Sequence, residues 1–304
     1  MTTPAPDPAV LIGIDVGGTR TKSCVVTTEG TVLHEDVRPT PAQVGDGITD
    51  YIEGIARELL ALAESPVAIG AAVPGFVDDD SGLATWSANL GWRDVPLGPL
   101  LSERLGRPVS LSHDVRAGLR AEYAWGAAQG ARGALFIPLG TGLAAALLMA
   151  GRVITGADWT GELGHVLVEP GGPVCGCGRR GCLEVVSSAS AVARAGSAAL
   201  GRTVSAKEVE DAVRAGDPAA AEVWRHAAHT LAATIAPVLA TTGVELLLIG
   251  GGLSKAGDLL LQPLREHLGG VLPASAAVTV RAAQLGDRAG ALGAAQWAWL
   301  QHTG

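Results

Sequence analysis

The chain has few charged and few aromatic residues, and its acidic residues outnumber its basic ones. Only 17% of its 304 residues are charged and 4% are aromatic, and 22 Lys and Arg stand against 30 Asp and Glu, for a net charge of −8. Because nucleic-acid-binding proteins usually carry a basic face, this balance argues against DNA or RNA as a main partner. Hydrophobic residues make up 48% of the chain, which indicates a globular protein with a substantial core.

The sequence also lacks the pattern of a leader or a membrane anchor. The start, MTTPAPDPAV, has no basic segment followed by an apolar one, as a signal peptide would. An uncharged stretch between Arg132 and Arg152 has the length of a membrane-spanning helix, but Pro138 and the glycine turn after it interrupt the stretch. It therefore predicts two buried strands joined by a turn, and we expect a cytoplasmic protein without a membrane partner.

Two common phosphate-binding motifs are missing, since there is no GxxxxGK[ST] and no GxGxxG that opens a helix. Instead, three apolar strands each run into a glycine-rich turn: DVGGT, LGTG and IGGG. Glycine lets backbone N–H groups approach phosphate oxygens without a Cβ in the way. One such turn could be a plain hairpin, but three favour a nucleotide. The predicted nucleotide contacts are Asp15, which could also orient Mg²⁺ through water, and Gly17, Gly18, Thr19, Gly140, Thr141, Gly142, Gly250, Gly251 and Gly252.

A weak internal repeat predicts two similar α/β domains. Strand, glycine turn, strand and second turn follow one another from Val10 to Leu33, and the same order begins again at Ala134. We expect the two domains to flank a central cleft, with a glycine turn reaching a ligand from each side. The predicted boundaries are residues 1–114 plus a C-terminal helix at about 287–304 for the smaller domain, and 115–286 for the larger one.

Four residues have the spacing of a zinc site: His165, Cys175, Cys177 and Cys182. One imidazole and three thiols can complete a tetrahedral site, which would be structural because no position stays open for catalysis. A disulfide is the alternative, but reducing conditions in the cytosol disfavour it and three clustered cysteines would leave one over. Cys24 lies in an apolar strand and is most simply a core residue.

Three carboxylates lie at the edges of these segments: Asp114, Glu162 and Glu184. Each could be a helix cap or a solvated side chain. Phosphate transfer to a hydroxyl group needs one carboxylate to accept the hydroxyl proton, and Asp114 at the domain junction fits this role best. His113 beside it is a candidate contact of the same acceptor, although a lone histidine is more often a packing residue.

The ordered motifs GIDVGGTRTK, VPGFVDDDSG, ANLGW, LGTG, GELGH, CGCGRRGCLE and IGGGLS resemble the ROK family of sugar kinases and repressors over nearly the whole chain. The resemblance implies the actin-like (ribonuclease H-like, hexokinase-type) fold, ATP with Mg²⁺, and a homodimer. It implies that Asp114 is the catalytic base and that Asn89, Glu162, His165 and Glu184 hold sugar hydroxyls. His165 would then both ligate zinc and contact the sugar.

The resemblance also predicts a substrate. ANLGWRDVPL with HDVRAG looks like actinobacterial N-acetylglucosamine kinases, which implies phosphorylation of the 6-hydroxyl of N-acetylglucosamine. His113 departs from the Asn usual in the family at this position, so glucose stays open as the acceptor. Polyphosphate is a separate alternative to ATP as the donor. A ROK repressor is the remaining alternative, and we expect it to need a DNA-binding domain ahead of Asp15.

Overall fold

The computed structural model describes residues 8–41, 45–63, 65–87 and 90–303. The chain forms two compact units: Met1–Gln129 with Thr155–Thr160 and Asp287–Gly304, and Gly130–Ile154 with Gly161–Gly286. The first segment of the first unit therefore ends at Gln129. The sequence placed the domain boundary near Asp114, and that boundary stays a prediction. The two-domain α/β class predicted from the repeat is confirmed.

The first unit is built on a five-stranded sheet with the order β3-β2-β1-β4-β8. Strand β1 pairs antiparallel with β2 and parallel with β4, and β4 pairs parallel with β8. A separate three-stranded sheet has the order β5-β6-β7. The strands are β1 Val10–Val16, β2 Arg20–Thr27, β3 Val32–Pro39, β4 Ala68–Val73, β5 Phe76–Asp78, β6 Leu83–Ser87, β7 Trp92–Val95 and β8 Val109–His113.

Three helices of this unit are α1 Ile48–Leu62, α2 Leu97–Leu105 and α3 Asp114–Trp125. Helix α1 shows how the apolar spacing becomes packing, because Ile48, Ile52, Ile55 and Leu59 are all buried in one core. Leu62 continues the predicted spacing but is 60% exposed, since the helix ends there and Ala63 turns into extended backbone.

The second unit repeats the topology of the first. Its sheet has the order β11-β10-β9-β12-β13, which matches β3-β2-β1-β4-β8 strand for strand. Strand β9 pairs antiparallel with β10 and parallel with β12, as β1 does with β2 and β4. The strands are β9 Gly133–Pro138, β10 Ala146–Met149, β11 Arg152–Val153, β12 Leu246–Gly250 and β13 Thr279–Ala282.

The helices of the second unit are α4 Glu184–Ser187, α5 Ala189–Leu200, α6 Ala206–Arg214, α7 Pro218–Thr242 and α8 Asp258–Val271. The two ends of α7 show how single residues start and stop a helix. Asp217 accepts hydrogen bonds from two backbone N–H groups at the start of α7, and Gly243 ends that helix at a positive φ of 66°. Within the described ranges no helix combines the length and the apolar character needed to cross a bilayer.

Helix α9, Ala289–Thr303, packs closely on the first sheet. A Cβ added at Gly13 of β1 would lie 1.9 Å from the carbonyl oxygen of Ala291, and one added at Gly70 of β4 would lie 1.9 Å from that of Ala294. Glycine at both positions therefore lets the helix backbone touch the strands. This contact seats the first turn of α9 beside the end of β1.

Candidate active site

The DVGGT turn of the first unit is held by backbone contacts. Gly17 donates its N–H to the carbonyl oxygen of Arg20 at 3.0 Å, and the Thr40 hydroxyl donates to the carbonyl oxygen of Gly17 at 2.7 Å. A Cβ at Gly18 would meet no heavy atom within 4 Å, so this face of the turn has room for a phosphate group. Thr19 follows it, before β2 begins at Arg20.

Asp15 lies near the end of β1, against the start of α9. Its side chain is largely buried, and this burial raises its pKa to about 6, while the charge of Lys22 acts in the opposite direction. A Cβ at Gly290 would lie only 2.4 Å from Oδ2 of Asp15, so the carboxylate packs against the first turn of α9. A nearby cation such as Mg²⁺ would favour the ionised form.

The other two glycine turns meet in the second unit. Leu139 donates its N–H to the carbonyl oxygen of Gly250 at 2.9 Å, and Leu253 donates to that of Leu139 at 3.2 Å. Gly251 has a φ of 72°, and a Cβ there would lie 2.5 Å from the backbone of Leu139. Gly140 and Gly252 face open space, whereas Gly142 lies against Glu184 and Thr141 lies between the two glycines. The structure thus brings two of the three predicted nucleotide turns together.

Asp114 is the first residue of α3, directly after β8. Its side chain is 31% exposed, and its Oδ1 lies 2.7 Å from the backbone N of Val115 and 3.3 Å from Nε2 of His113. A carboxylate that is partly exposed at the start of a helix can receive a proton from a ligand hydroxyl. This placement is compatible with the predicted base, and the role stays a prediction.

His113 directly precedes Asp114 in the chain and is 2% exposed. Burial, with the nearby charge of Arg116, lowers the pKa of its imidazole to about 3, so the ring is neutral at physiological pH. Little of its surface is open to a sugar. The predicted sugar contact of His113 therefore remains a prediction, and the geometry shows a contact with Asp114 instead.

The four predicted zinc ligands are brought together in the second unit. Their ligand atoms all lie within 4.8 Å of one another. Cys175 Sγ lies 3.5 Å from Nδ1 of His165, and Cys177 Sγ lies 3.7 Å from Cys182 Sγ. Tetrahedral zinc with bonds of about 2.3 Å to sulfur and about 2.0 Å to nitrogen needs S···S near 3.8 Å and N···S near 3.5 Å. The donor set and its spacing therefore fit a structural zinc ion.

Two further predicted sugar contacts lie at the edge of this cluster. Glu162 precedes the short 3-10 turn Leu163–His165, and its Oε2 lies 3.6 Å from Nε2 of His165. Glu184 begins α4 and accepts a hydrogen bond from the backbone N–H of Leu143 at 3.0 Å. Its Oε1 lies 4.0 Å from Sγ of Cys175, so the cluster and the LGTG turn share Glu184. Asn89 lies outside the described residues.

The sequence did not predict a buried group of charges at the corner between β8 and α3. Asp79, Arg116 and Arg120 have side-chain exposures of 0%, 2% and 4% and form two ion pairs. The two arginines four residues apart in VRAGLR were the available signal for such a group. Charged side chains on a helix that packs on both sides are rarely fully buried unless they are paired.

Comparisons with known proteins identify relatives over almost the full length. The profile of the ROK family matches residues 11–301. A glucokinase of Halalkalibacterium halodurans is 35% identical over 305 residues, which cover 93% of this chain and 92% of that protein. An N-acetylmannosamine kinase of Citrobacter koseri is 33% identical over 287 residues, which cover 93% of this chain and 97% of that protein.

A solved structure gives the same result at the level of the fold. The crystal structure of a ROK family glucokinase from Streptomyces griseus in complex with glucose and AMPPNP has a TM-score of 0.83 and 32% sequence identity with this chain. The match covers 96% of this chain and all of that one.

Proposed function

Because the chain belongs to the ROK family, we propose that it is an ATP-dependent kinase that phosphorylates the 6-hydroxyl of a hexose. The observation that carries this proposal is the full-length similarity to sugar kinases at 33–35% identity. The glycine turns with open space at Gly18, Gly140 and Gly252 support a nucleotide as the donor.

Glucose is the acceptor that we propose first. The sequence patterns favoured N-acetylglucosamine, but the similar proteins are two glucokinases and one N-acetylmannosamine kinase. N-acetylglucosamine stays a prediction of the sequence and is one arm of the experiment below. The homodimer implied by the family resemblance likewise stays a prediction.

The proposed chemistry is an in-line transfer of the γ-phosphoryl group. Asp114 accepts the proton of the sugar 6-hydroxyl, the new bond forms between that oxygen and the γ-phosphorus, and the bond to the β-phosphate oxygen breaks to release ADP. Asp15 is proposed to help hold Mg²⁺, which would supply positive charge to the phosphates when bound. Glu162, His165 and Glu184 are proposed to bind sugar hydroxyls and so align the acceptor.

Zinc is proposed to shape this site without taking part in the transfer. His165, Cys175, Cys177 and Cys182 would occupy all four tetrahedral positions, so no substrate oxygen can bind the ion. With Nδ1 of His165 directed to the metal, its Nε2 is directed to Glu162. Zinc binding would therefore orient a residue of the proposed sugar site.

A panel of initial rates tests the proposal. Purified protein is assayed for sugar phosphate formation with glucose, N-acetylglucosamine, N-acetylmannosamine and glucosamine, with ATP or polyphosphate as donor, and the phosphorylated position is assigned by NMR. We expect the highest kcat/KM with glucose and ATP, and a 6-phosphate product. A higher kcat/KM with N-acetylglucosamine would restore the sequence prediction, and the absence of transfer to any sugar from either donor would refute the kinase proposal.

A further inference from the structure

A buried carboxylate contacts the corner between β8 and α3. Asp79, one residue after β5, has a fully buried side chain that accepts hydrogen bonds from the Ser112 hydroxyl at 2.8 Å, the His113 backbone N–H at 3.1 Å and Nη2 of Arg116 at 2.7 Å. Oδ2 of Asp79, which accepts from Ser112, also lies 2.8 Å from Nη1 of Arg120, whereas His113 and Arg116 donate to Oδ1. These partners precede and follow Asp114 in the sequence. We call the group formed by Asp79, Arg116 and Arg120 the bracket of the proposed base.

Both arginines are fixed by further contacts. Arg116 donates to the carbonyl oxygens of Val77 at 2.6 Å and Thr160 at 2.8 Å, in addition to Asp79. The Arg120 guanidinium lies 3.9 Å from the centre of the Trp297 ring and also donates to the Ser112 hydroxyl at 2.6 Å. A planar guanidinium with several partners in its plane has little rotational freedom, so the bracket is rigid.

A need for stability alone would not predict this buried group of charges. Replacing a buried ion pair by apolar side chains is often neutral or stabilising, because both ions must lose their water. Here two arginines share one aspartate, so the three side chains together carry a net charge of +1 (two positive and one negative). Burial lowers the pKa of His113 to about 3, so it adds no charge at neutral pH, and Asp80 adds a more distant negative charge near Arg120.

We propose that Asp79, together with Arg116 and Arg120, positions Asp114 for catalysis by fixing the strand-to-helix corner at which Asp114 lies. The proposal rests on the proposed role of Asp114 as the base. Asp79 does not touch substrate in this account and acts only through the corner that it holds. Misplacement of a reacting group by about 1 Å can cost about 10²-fold in rate, so a rigid bracket here has a measurable effect.

The first experiment compares two neighbouring aspartates. Asp79→Asn keeps the shape of the side chain but removes its charge, and we expect kcat to fall by about 10²-fold while KM for ATP stays within about threefold. Asp78→Asn is the matched control, since Asp78 is an adjacent carboxylate whose hydrogen bonds go to Asp80 and Ser81 in its own turn. We expect the control to keep the kcat of the parent. Equal kcat in the two variants would overturn the proposal.

A second variant separates positioning from stability. Asp79→Asn leaves two buried arginines with less compensation and could fold poorly. The double variant Asp79→Asn/Arg116→Met removes one charge of each sign, so we expect its thermal midpoint to return toward that of the parent. We expect kcat to stay low, because the charged contacts of residue 79 are still missing and those of Arg116 to Val77 and Thr160 are lost as well. Recovery of kcat along with the midpoint would show that the group serves stability alone.

The same assays distinguish failure of this proposal from failure of the proposed function. Asp114→Asn is measured in parallel: if it loses turnover while Asp79→Asn does not, the base stands and the bracket is refuted. If the parent protein transfers no phosphate, the bracket is tested by amide hydrogen exchange of residues 112–116. We expect faster exchange there in Asp79→Asn than in Asp78→Asn, and equal exchange would refute the bracket without reference to activity.

Discussion

The Nε2 atom of His165 lies 3.6 Å from Oε2 of Glu162, three residues earlier in the chain. The opposite ring nitrogen, Nδ1, lies 3.5 Å from Cys175 Sγ within the metal-ligand cluster. One imidazole therefore joins a metal site to a carboxylate that we propose as a sugar ligand. Because a metal fixes the tautomer and orientation of a ligating histidine, metal content and sugar affinity should change together.

Replacement of a zinc ligand tests this coupling. In Cys177→Ser we expect the zinc content, measured by elemental analysis, to fall from about one ion per chain to near zero. We also expect a lower thermal midpoint and a sugar KM raised by about tenfold. Cys24→Ser is the control, because Cys24 lies on β2 outside the cluster and should leave zinc bound. A parent protein free of zinc, or an unchanged sugar KM in the metal-free variant, would contradict this account.

Replacement of Asp114 tests the proposed base. Asp114→Asn keeps the size of the side chain but cannot accept the hydroxyl proton, so kcat should fall by about 10²–10⁴-fold. KM for the sugar should change by less than about fivefold, because the proposed hydroxyl ligands are retained. Asp258→Asn is the control, since Asp258 also begins a helix, α8, and its carboxylate pairs with Arg265 on the surface. Full turnover by Asp114→Asn would remove this residue from the mechanism.

Gly290 should be essential for the placement of Asp15. Alanine is favoured over glycine in a helix by about 1 kcal/mol, but a Cβ at position 290 would lie 2.4 Å from Oδ2 of Asp15. We therefore expect Gly290→Ala to raise KM for ATP or to lower kcat by at least about tenfold. In Gly269→Ala, on α8, the added Cβ meets no atom within 4 Å, so this control should keep its activity. Steady-state kinetics at varied ATP and Mg²⁺ give the comparison, and equal kinetics in both variants would contradict it.

The buried imidazole of His113 should make the fold sensitive to acid. Its pKa of about 3 lies below the usual 6.5, so between these values the unfolded chain binds more protons than the folded one. The resulting stability is complete above pH 6.5 and is lost as the pH falls toward 3. From pH 7.5 to pH 5, His113 should cost the parent about 2 kcal/mol that the variant His113→Asn does not lose.

Urea unfolding at the two pH values measures this difference. All other titrating groups are common to both proteins, so the comparison isolates His113. His34→Asn, which changes an exposed histidine on β3, should behave like the parent. An equal loss of stability in the parent and in His113→Asn would show that the imidazole is not held neutral.

The sequence predicted those features that local patterns encode. The duplicated order of strands and glycine turns predicted two similar sheets, because a strand followed by a tight turn is recognisable within about ten residues. The spacing of Cys175, Cys177 and Cys182 with His165 predicted a cluster that the structure brings within zinc distances. The chemistry of such ligands limits their possible roles even before their positions are known.

The features that the sequence did not predict depend on contacts between distant segments. Asp79 lies 37 residues before Arg116, and nothing in VDDDSG marks its central carboxylate as the buried one. Asp78 and Asp79 are chemically identical, yet Asp78 belongs to a surface turn and Asp79 to the interior. Only the packing of β5 and its following turn against the corner at His113 decides between them.

The close seating of α9 on β1 and β4 has a consequence for biosynthesis. Residues 289–303 leave the ribosome only after the whole of Gly161–Gly286 has been made, yet they cover the face of the sheet that holds Asp15. The glycine-containing strands on which α9 packs therefore stay uncovered while the intervening unit is synthesised and can already fold. During this delay a nascent chain is a natural substrate for chaperones, and translation speed should influence the yield of native protein.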